Sequence, residues 1–460
     1  MKLKFIILLS LSVVFSLLSF CIGLTPKQSV IIGIFSMSIL GTLFFWDFRL
    51  SFVFIGSGVF FLLNVVHLDE FIEYASIDVI IFLVSMMIIV GMMKEAGLFT
   101  WLITLVLRVK NLTGRKMVVL IMVSSAVFSG LMDEVTSIII VTTVILNICD
   151  FLEVDPKPLV IASVLATNIG SAATVLGNPV GVLIAARSQL SFEDFIIHAA
   201  PLSAVVLVVT ICIVLYYYRK YIDVLSEKII PFQDDKSFLY LISIPPDKRT
   251  KVSIYIFFVT IALIAIHKRL EMLLGLEHNT LLIMLPVISA GFVMIYRHDK
   301  ARHYVEHEVE WPSLLFFMFL FAQAGVIQSS GIADFFSRKI LTLAGGSVEV
   351  LAGIILFSSG ILSSGLDNVV TVASMVPVVQ SLDAVHINLK PLWWALLFGA
   401  CYGGNISMIG STANIVALGL LEKERDIRIV FLDWLRIGFL IGIVGMSIAY
   451  LAILFIPIYL

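Results

Sequence analysis

The chain has 460 residues, 60% of them hydrophobic and 13% charged, against roughly 25% charged in an ordinary soluble domain. A body this apolar needs lipid as its solvent, and a net charge of −2 without a basic block argues against a nucleic-acid partner. The four cysteines, Cys21, Cys149, Cys212 and Cys401, stand singly in apolar stretches; with no CxxC or Cys/His cluster they read as small membrane hydrophobes.

At the N-terminus, Met1-Lys2-Leu3-Lys4 and the apolar run 5–23 have the charge pattern of a signal peptide. The run is longer than a usual h-region, lacks an A-x-A site, and has bulky Phe20 where a lipoprotein box needs a small residue. Residues 1–27 are therefore predicted to be an extra, retained transmembrane helix. A crossing takes ~20 apolar residues. Spans are predicted at 28–46, 50–66, 78–93 and 195–218, then at 252–267, 280–296, 312–328 and 434–460. Two apolar regions in each half, 117–149 with 158–186 and 350–382 with 391–421, are interrupted by Gly, Pro, Asp and Asn. They read as a re-entrant hairpin followed by a broken helix, backbone that survives at membrane depth only beside protein or a polar cavity.

The halves repeat. Phe82, Gly91, Gly97 and Asp133 recur 234 residues later as Phe316, Gly325, Gly331 and Asp367. Gly170 and Gly177 recur as Gly403 and Gly410 after a one-residue gap. A hairpin adds no crossing, so each half crosses an odd number of times and the second half is inverted. The predicted fold is an all-α polytopic membrane protein with about 11 transmembrane helices. Its repeats are 28–218 and 252–460, joined by a cytoplasmic linker, 219–251. Arg219, Lys220, Lys228, Lys236, Lys248, Arg249 and Lys251 fall in that linker, while 67–77 carries Asp69, Glu70 and Glu73 and no Lys or Arg. The asymmetry places the N-terminus in the cytoplasm and the C-terminus outside, in the plasma or inner membrane.

Three carboxylates stand in apolar surroundings: Asp133, Glu134 and Asp367. At about 2.5–3.5 kcal/mol each at the bilayer centre, three would cost roughly 7–10 kcal/mol, comparable to the whole stability of a domain. Capping a half-helix is the bland role for an Asp here; recurrence of Asp133 as Asp367 favours function. Thr136 and Ser137 follow the first pair, Asn368 and Thr371 the second acid. Carboxylate, amide, hydroxyl and carbonyl oxygens suit a hard cation, although hydroxyls also back-bond to helix carbonyls. The second pair of motifs runs from Thr167 to Pro179, with Asn168, Gly170, Thr174 and Asn178, and from Gly403 to Asn414, with Asn405, Ser407, Ser411 and Asn414. At a helix break, free carbonyls can hold a cation and free amides an anion. Small residues also serve ordinary helix packing.

These acid–Val–hydroxyl tips and the Asn-Ile-Gly and Gly-Gly-Asn breaks resemble the ion transporter superfamily. They look most like its arsenite permease/sodium–proton antiporter branch, which includes the melanosomal P protein; divalent-anion/sodium symporters are more distant. The resemblance implies a homodimer in which a transport domain moves elevator-fashion past a fixed scaffold. It implies ion and substrate sites at the tips and breaks, with Asp133, Asn168, Asp367 and Asn405 as sodium ligands. Two departures stand out: Glu134 replaces the usual Asn at the first tip, and Gly181 the usual Asn at the end of the first break.

The hairpins hold no Lys or Arg beyond their bases, and the first broken helix has only Arg187 at its end. That arrangement weighs against an unaccompanied multivalent anion. Gradient-coupled export of an arsenite- or antimonite-type oxyanion is the leading expectation, followed by sodium/proton antiport and by cation-coupled carboxylate uptake. A passive channel lacks a visible filter, and no nucleophile–base pair or Walker motif marks an enzyme. No cofactor is expected beyond sodium or a proton as coupling ion. Without an ATP site, the drive comes from an ion gradient or from a separate ATPase subunit.

Overall fold

The computed structural model describes residues 1–98, 111–232 and 248–459, and among these every regular element is a helix. Helices α1 (Lys2–Cys21) and α2 (Pro26–Phe44) form a packed pair. Pro26 and a reciprocal Thr25–Gln28 capping box start α2, satisfying N–H groups that a helix start leaves open. The expected span 50–66 is instead α3 (Arg49–Leu62) followed by a separate short α4 (Leu68–Tyr74). Asn64, at a φ of 50°, ends the turn in the left-handed conformation that Asn tolerates. Next come α5 (Ile77–Glu95), α6 (Gly114–Leu131), α7 (Glu134–Leu152), α8 (Lys157–Ser171) and α9 (Pro179–Ser188). A 26-residue helix, α10 (Phe192–Tyr217), and the amphipathic α11 (Arg219–Ile229) complete this half.

The second half runs α12 (Lys248–Ala265), α13 (His267–Leu274), α14 (Thr280–Tyr296), α15 (Trp311–Ser329) and α16 (Ile332–Leu343). It ends with α17 (Val348–Gly365), α18 (Asn368–Ser381), α19 (Lys390–Gly403), α20 (Thr412–Arg425) and α21 (Phe431–Phe455). The expected linker 219–251 lies partly outside the described residues; its described ends belong to α11 and α12. The expected span 252–267 bends by 63° between α12 and α13, and Glu271 on α13 accepts the N–H groups of Asn279 and Leu281 at the start of α14.

Among the described residues, nine helices are long and apolar enough to cross a membrane, or ten if the bent pair counts as one. That number includes α6, α7 and α17, while α8, α9, α19 and α20 are too short for it. At 1.5 Å per residue, the 15 residues of α8 and the 10 of α9 reach about 22 and 15 Å, each short of a ~30 Å hydrocarbon core. Together the two pieces have the length for it.

Contacts between the halves come in reciprocal pairs. The first arm of each helix pair packs on its own half's first broken piece: α6 on α8, and α17 on α19. The second arm packs on the other half's second piece: α7 on α20, and α18 on α9. At residue level, Gly91 abuts Glu308 and Gly325 abuts Tyr74, positions that exchange under the 234-residue offset. Such reciprocity is what a two-fold relation produces. The broken helices form the centre, with α19 buried from Pro391 to Gly403 and α8 from Leu159 to Ser171. Close approach there requires glycine: a Cβ on Gly170 would strike the Ala126 backbone, and one on Gly403 the Gly360 backbone.

Candidate functional site

Both tips are built by Asp. Asp133 is the N-cap of α7, its Oδ1 accepting from the N–H groups of Val135 and Thr136 at 3.0 and 2.9 Å. Asp367 caps α18, accepting from Val369 at 2.9 Å. From there the equivalents diverge. Asp367 is 4% exposed and also accepts from the Thr412 hydroxyl at the start of α20. The position matching Thr412 in the first half is Pro179, which has no hydroxyl, and Asp133 is only half-buried. Asp133 keeps the capping role, worth typically ~1 kcal/mol, and among the described residues its side chain bonds only the N–H groups of its own helix start.

That cluster is centred on Glu134, 2% exposed. Asn368 Nδ2 donates to its Oε1 and Oε2 at 3.2 and 3.4 Å, and the Ser411 hydroxyl donates to Oε1 at 3.2 Å. Glu134 and Asn368 are equivalent residues, 234 apart, so matching positions of the two halves touch here. Glu134 and Asp367 also feel each other's charge. Among the described residues neither carboxylate has an ion-pair partner. Hydrogen bonds to a charged group are worth about 1.5–3 kcal/mol, and removing an ion from water costs several kcal/mol. Glu134 is thus a buried carboxyl held by two neutral donors, without a countercharge among the described residues. Two buried oxygens close by, Asn368 Oδ1 and Thr371 Oγ1, have no hydrogen-bond partner among the described residues.

A second group joins the breaks. Asn168 Nδ2 donates to Asn405 Oδ1 at 2.8 Å and to Asn414 Oδ1 at 2.9 Å, and Asn168 Oδ1 has no partner among the described residues. Asn414 Nδ2 donates to the carbonyls of Gly404 and Ser407 at 2.9 and 2.8 Å, and Asn405 Nδ2 to Leu165 O at 3.3 Å. The Asn414 amide thereby satisfies backbone that unwinding exposes, while that of Asn405 reaches a carbonyl within α8. Asn178 caps α9 through Gly181 N–H at 2.8 Å, and its amide donates to Ser171 Oγ and Cys401 Sγ. Ser411 caps α20 at the matching position. Thr174 donates to Gly130 O, tying the first break to α6, and Ser407 donates to Ser364 O, tying the second to α17. Ser137 makes only a long bond to Ser125 O, 3.4 Å, and Thr136 offers its backbone N–H. Gly170 serves the helix crossing.

Residues passed over in the sequence are Thr412, Ser171 and Cys401, all inside or beside the motifs.

An all-helical membrane body with carboxyl, amide and hydroxyl groups converging on paired helix breaks defines a membrane transporter. The chain belongs to the CitMHS family, described as citrate transporter, which matches residues 6–399 and sits in the ion transporter superfamily. It is similar to an uncharacterized transporter of Mycobacterium tuberculosis, 31% identical over 380 residues, covering 81% of this chain and 84% of the relative. The 46 kDa membrane protein of Mycobacterium leprae is 29% identical over 385 residues, with the same 81% and 84% coverage. Human P protein is 25% identical over 464 residues, covering 83% of this chain and 54% of the human protein.

Proposed function

We propose that the protein is a secondary active transporter of the cell membrane. It couples movement of a small anion or oxyanion to a proton or sodium ion held at Glu134, Asn368, Ser411 and Asp367. The observation that carries this reading is the buried Glu134 carboxyl, without a countercharge among the described residues and facing its repeat equivalent. A carboxyl so placed holds a proton or a metal ion in turn, the minimum chemistry for coupling to a gradient. The charge pattern supports an N-terminus inside and a C-terminus outside. The superfamily resemblance supports inverted repeats, a homodimer and elevator movement. Beside the sodium ligands expected from the sequence, Asp133, Asn168, Asp367 and Asn405, this reading gives Glu134 the leading part.

Sodium/proton antiport is a second reading, favoured by the unpartnered Asn368 and Thr371 oxygens, which suit a small cation as sole cargo. Arsenite and antimonite stay among the candidate cargoes, beside carboxylates, which the family description favours. The test is flux into proteoliposomes under imposed pH and sodium gradients, with citrate, succinate and arsenite supplied separately. Coupled flux of any of the three supports the transporter reading. Sodium/proton exchange without cargo selects the second reading, and gradient-independent leak of all cargoes overturns both.

A further inference from the structure

The ends of four helices enclose a cavity of about 640 Å³, inside the roughly 300–1,000 Å³ usual for small-molecule sites. Arg187 lies in the last turn of α9, Gln328 in that of α15 and Gln380 in that of α18, while Lys390 is the first residue of α19. Gln328 and Asp383, also on the wall, are exposed, so solvent reaches the cavity. Arg187, Gln328 and Gln380 line in addition a slot of about 40 Å³, which continues between α15 and α18 past Val376. A cargo of several carboxylates fits the wide part and not the slot.

Charge in the cavity is lopsided. Arg187 and Lys390 share the wall with one acid, Asp383, and neither cation has an ion-pair partner among the described residues. Asp194, whose charge Lys390 also feels, is outside the lining and accepts from Ser191. Arg187 donates through Nη2 to the Ser76 hydroxyl, which lines the slot. A guanidinium has five N–H donors, and Ser76 is its one hydrogen-bond partner among the described residues. A helix dipole accounts for Arg187 at a C-terminus, but it works against Lys390 at an N-terminus. From sequence both cations lie merely at the ends of their segments; the fold brings them to one wall.

We propose that this cavity is an entry site for the cargo, in which Arg187 and Lys390 bind its carboxylate groups before it moves on along α18. The proposal rests on the anion-transport reading above and names the cargo class, a small dicarboxylate or tricarboxylate, since two cations on separate helices match two carboxylates of one molecule. Cations set in a concave wall concentrate anions and speed their arrival. The site serves one face of the membrane. Ser76, at the end of the acidic 67–77 segment that the charge pattern places outside, lines the slot beneath it.

The test uses the full chain in proteoliposomes, in a background without the four native cysteines, with Gln328→Cys as a reporter on the cavity wall. An anionic methanethiosulfonate should react there faster than a cationic one, and citrate or succinate should protect the thiol. Arg187→Gln combined with Lys390→Gln should cut that anionic preference about tenfold and abolish the protection. Without the reporter, the same double variant should raise the KM for citrate supplied from the 67–77 face about tenfold and flatten its salt dependence. Citrate supplied from the opposite face should keep its KM, and arsenite, uncharged near neutral pH, should lose less than citrate. Equal reagent preference in the double variant and its parent overturns the proposal, as does a thiol that neither carboxylate protects. So does a KM shifted equally from both faces, or an equal loss for citrate and arsenite. Protection without carboxylate flux supports the site and overturns the anion-transport reading instead. Should Arg187→Gln elute aggregated on size exclusion, Lys390→Gln alone should lower the anionic preference, and Arg187→Lys, which keeps the charge, should retain it; the reverse pattern overturns the proposal.

Discussion

At the residue scale, the two halves share a register but not a chemistry. Asp133 and Asp367 are equivalent and both cap a helix, yet only Asp367 meets a hydroxyl across the break, because Thr412 has Pro179 as its counterpart. The offset was legible in the sequence; the proline's consequence was not, since it depends on which helix crosses the tip. Glu134 looked like a departure from pattern, and the fold sets it against Asn368 at the two-fold relation. Glu134→Gln should keep the donor geometry and remove the titrating group. The expected outcome is a folded protein whose flux no longer varies with pH across the wild-type range, read from proteoliposome rates at graded pH. An unchanged profile would sink the coupling role. Asp133→Ala should cost about 0.5–2 kcal/mol, the value of an N-cap, lowering the thermal midpoint in detergent while leaving the citrate or arsenite KM within twofold or so of wild type.

At the element scale, the breaks were the most readable feature. They fall at 132–133, 172–178, 366–367 and 404–411, where Gly, Asp, Asn and Ser cluster in the sequence. Composition alone did not show that α3 stops after 14 residues or that α12 turns sharply at its end. Those outcomes follow from single positions, Asn64 and the Ile266–His267 junction, inside otherwise apolar runs. Spacing also left open how tightly broken helices sit against the first arms. Gly170 and Gly403 set that distance through backbone contacts with Ala126 and Gly360. Ala at either site should separate the helices or prevent their docking, a loss of several kcal/mol, beyond the 1–3 typical of overpacking. Ala at Gly58, whose Cβ direction is open, should be neutral. Fluorescence-detected size exclusion and the thermal midpoint distinguish these outcomes; equal behaviour of the three variants would refute the close-packing account.

At the scale of the whole molecule, the broken-helix centre meets the outer helices through few polar ties. One is the Arg187 guanidinium on α9, donating to the Ser76 hydroxyl just before α5. If the centre moves past its surround, this tie must open. Ser76→Cys with Arg187→Cys, in a background where the four native cysteines are replaced, should be bridged by a short bifunctional thiosulfonate and stop flux, with reductant restoring it. Bridged protein that transports at the unbridged rate would place both residues on one moving body. The crossed packing has a further consequence, for the order of assembly. Helix α7 leaves the ribosome with an acid at its head, and its partner helix, Thr412–Arg425, is translated some 270 residues later. Glu134 has no amide before Asn368 is made and no hydroxyl before Ser411, and lipid cannot replace either. Membrane insertion of the first half is therefore an unfinished state that must be sheltered until almost the end of synthesis, and a chain that stalls before residue 412 presents a bare carboxyl within the bilayer, a mark by which quality control can distinguish it from the completed protein.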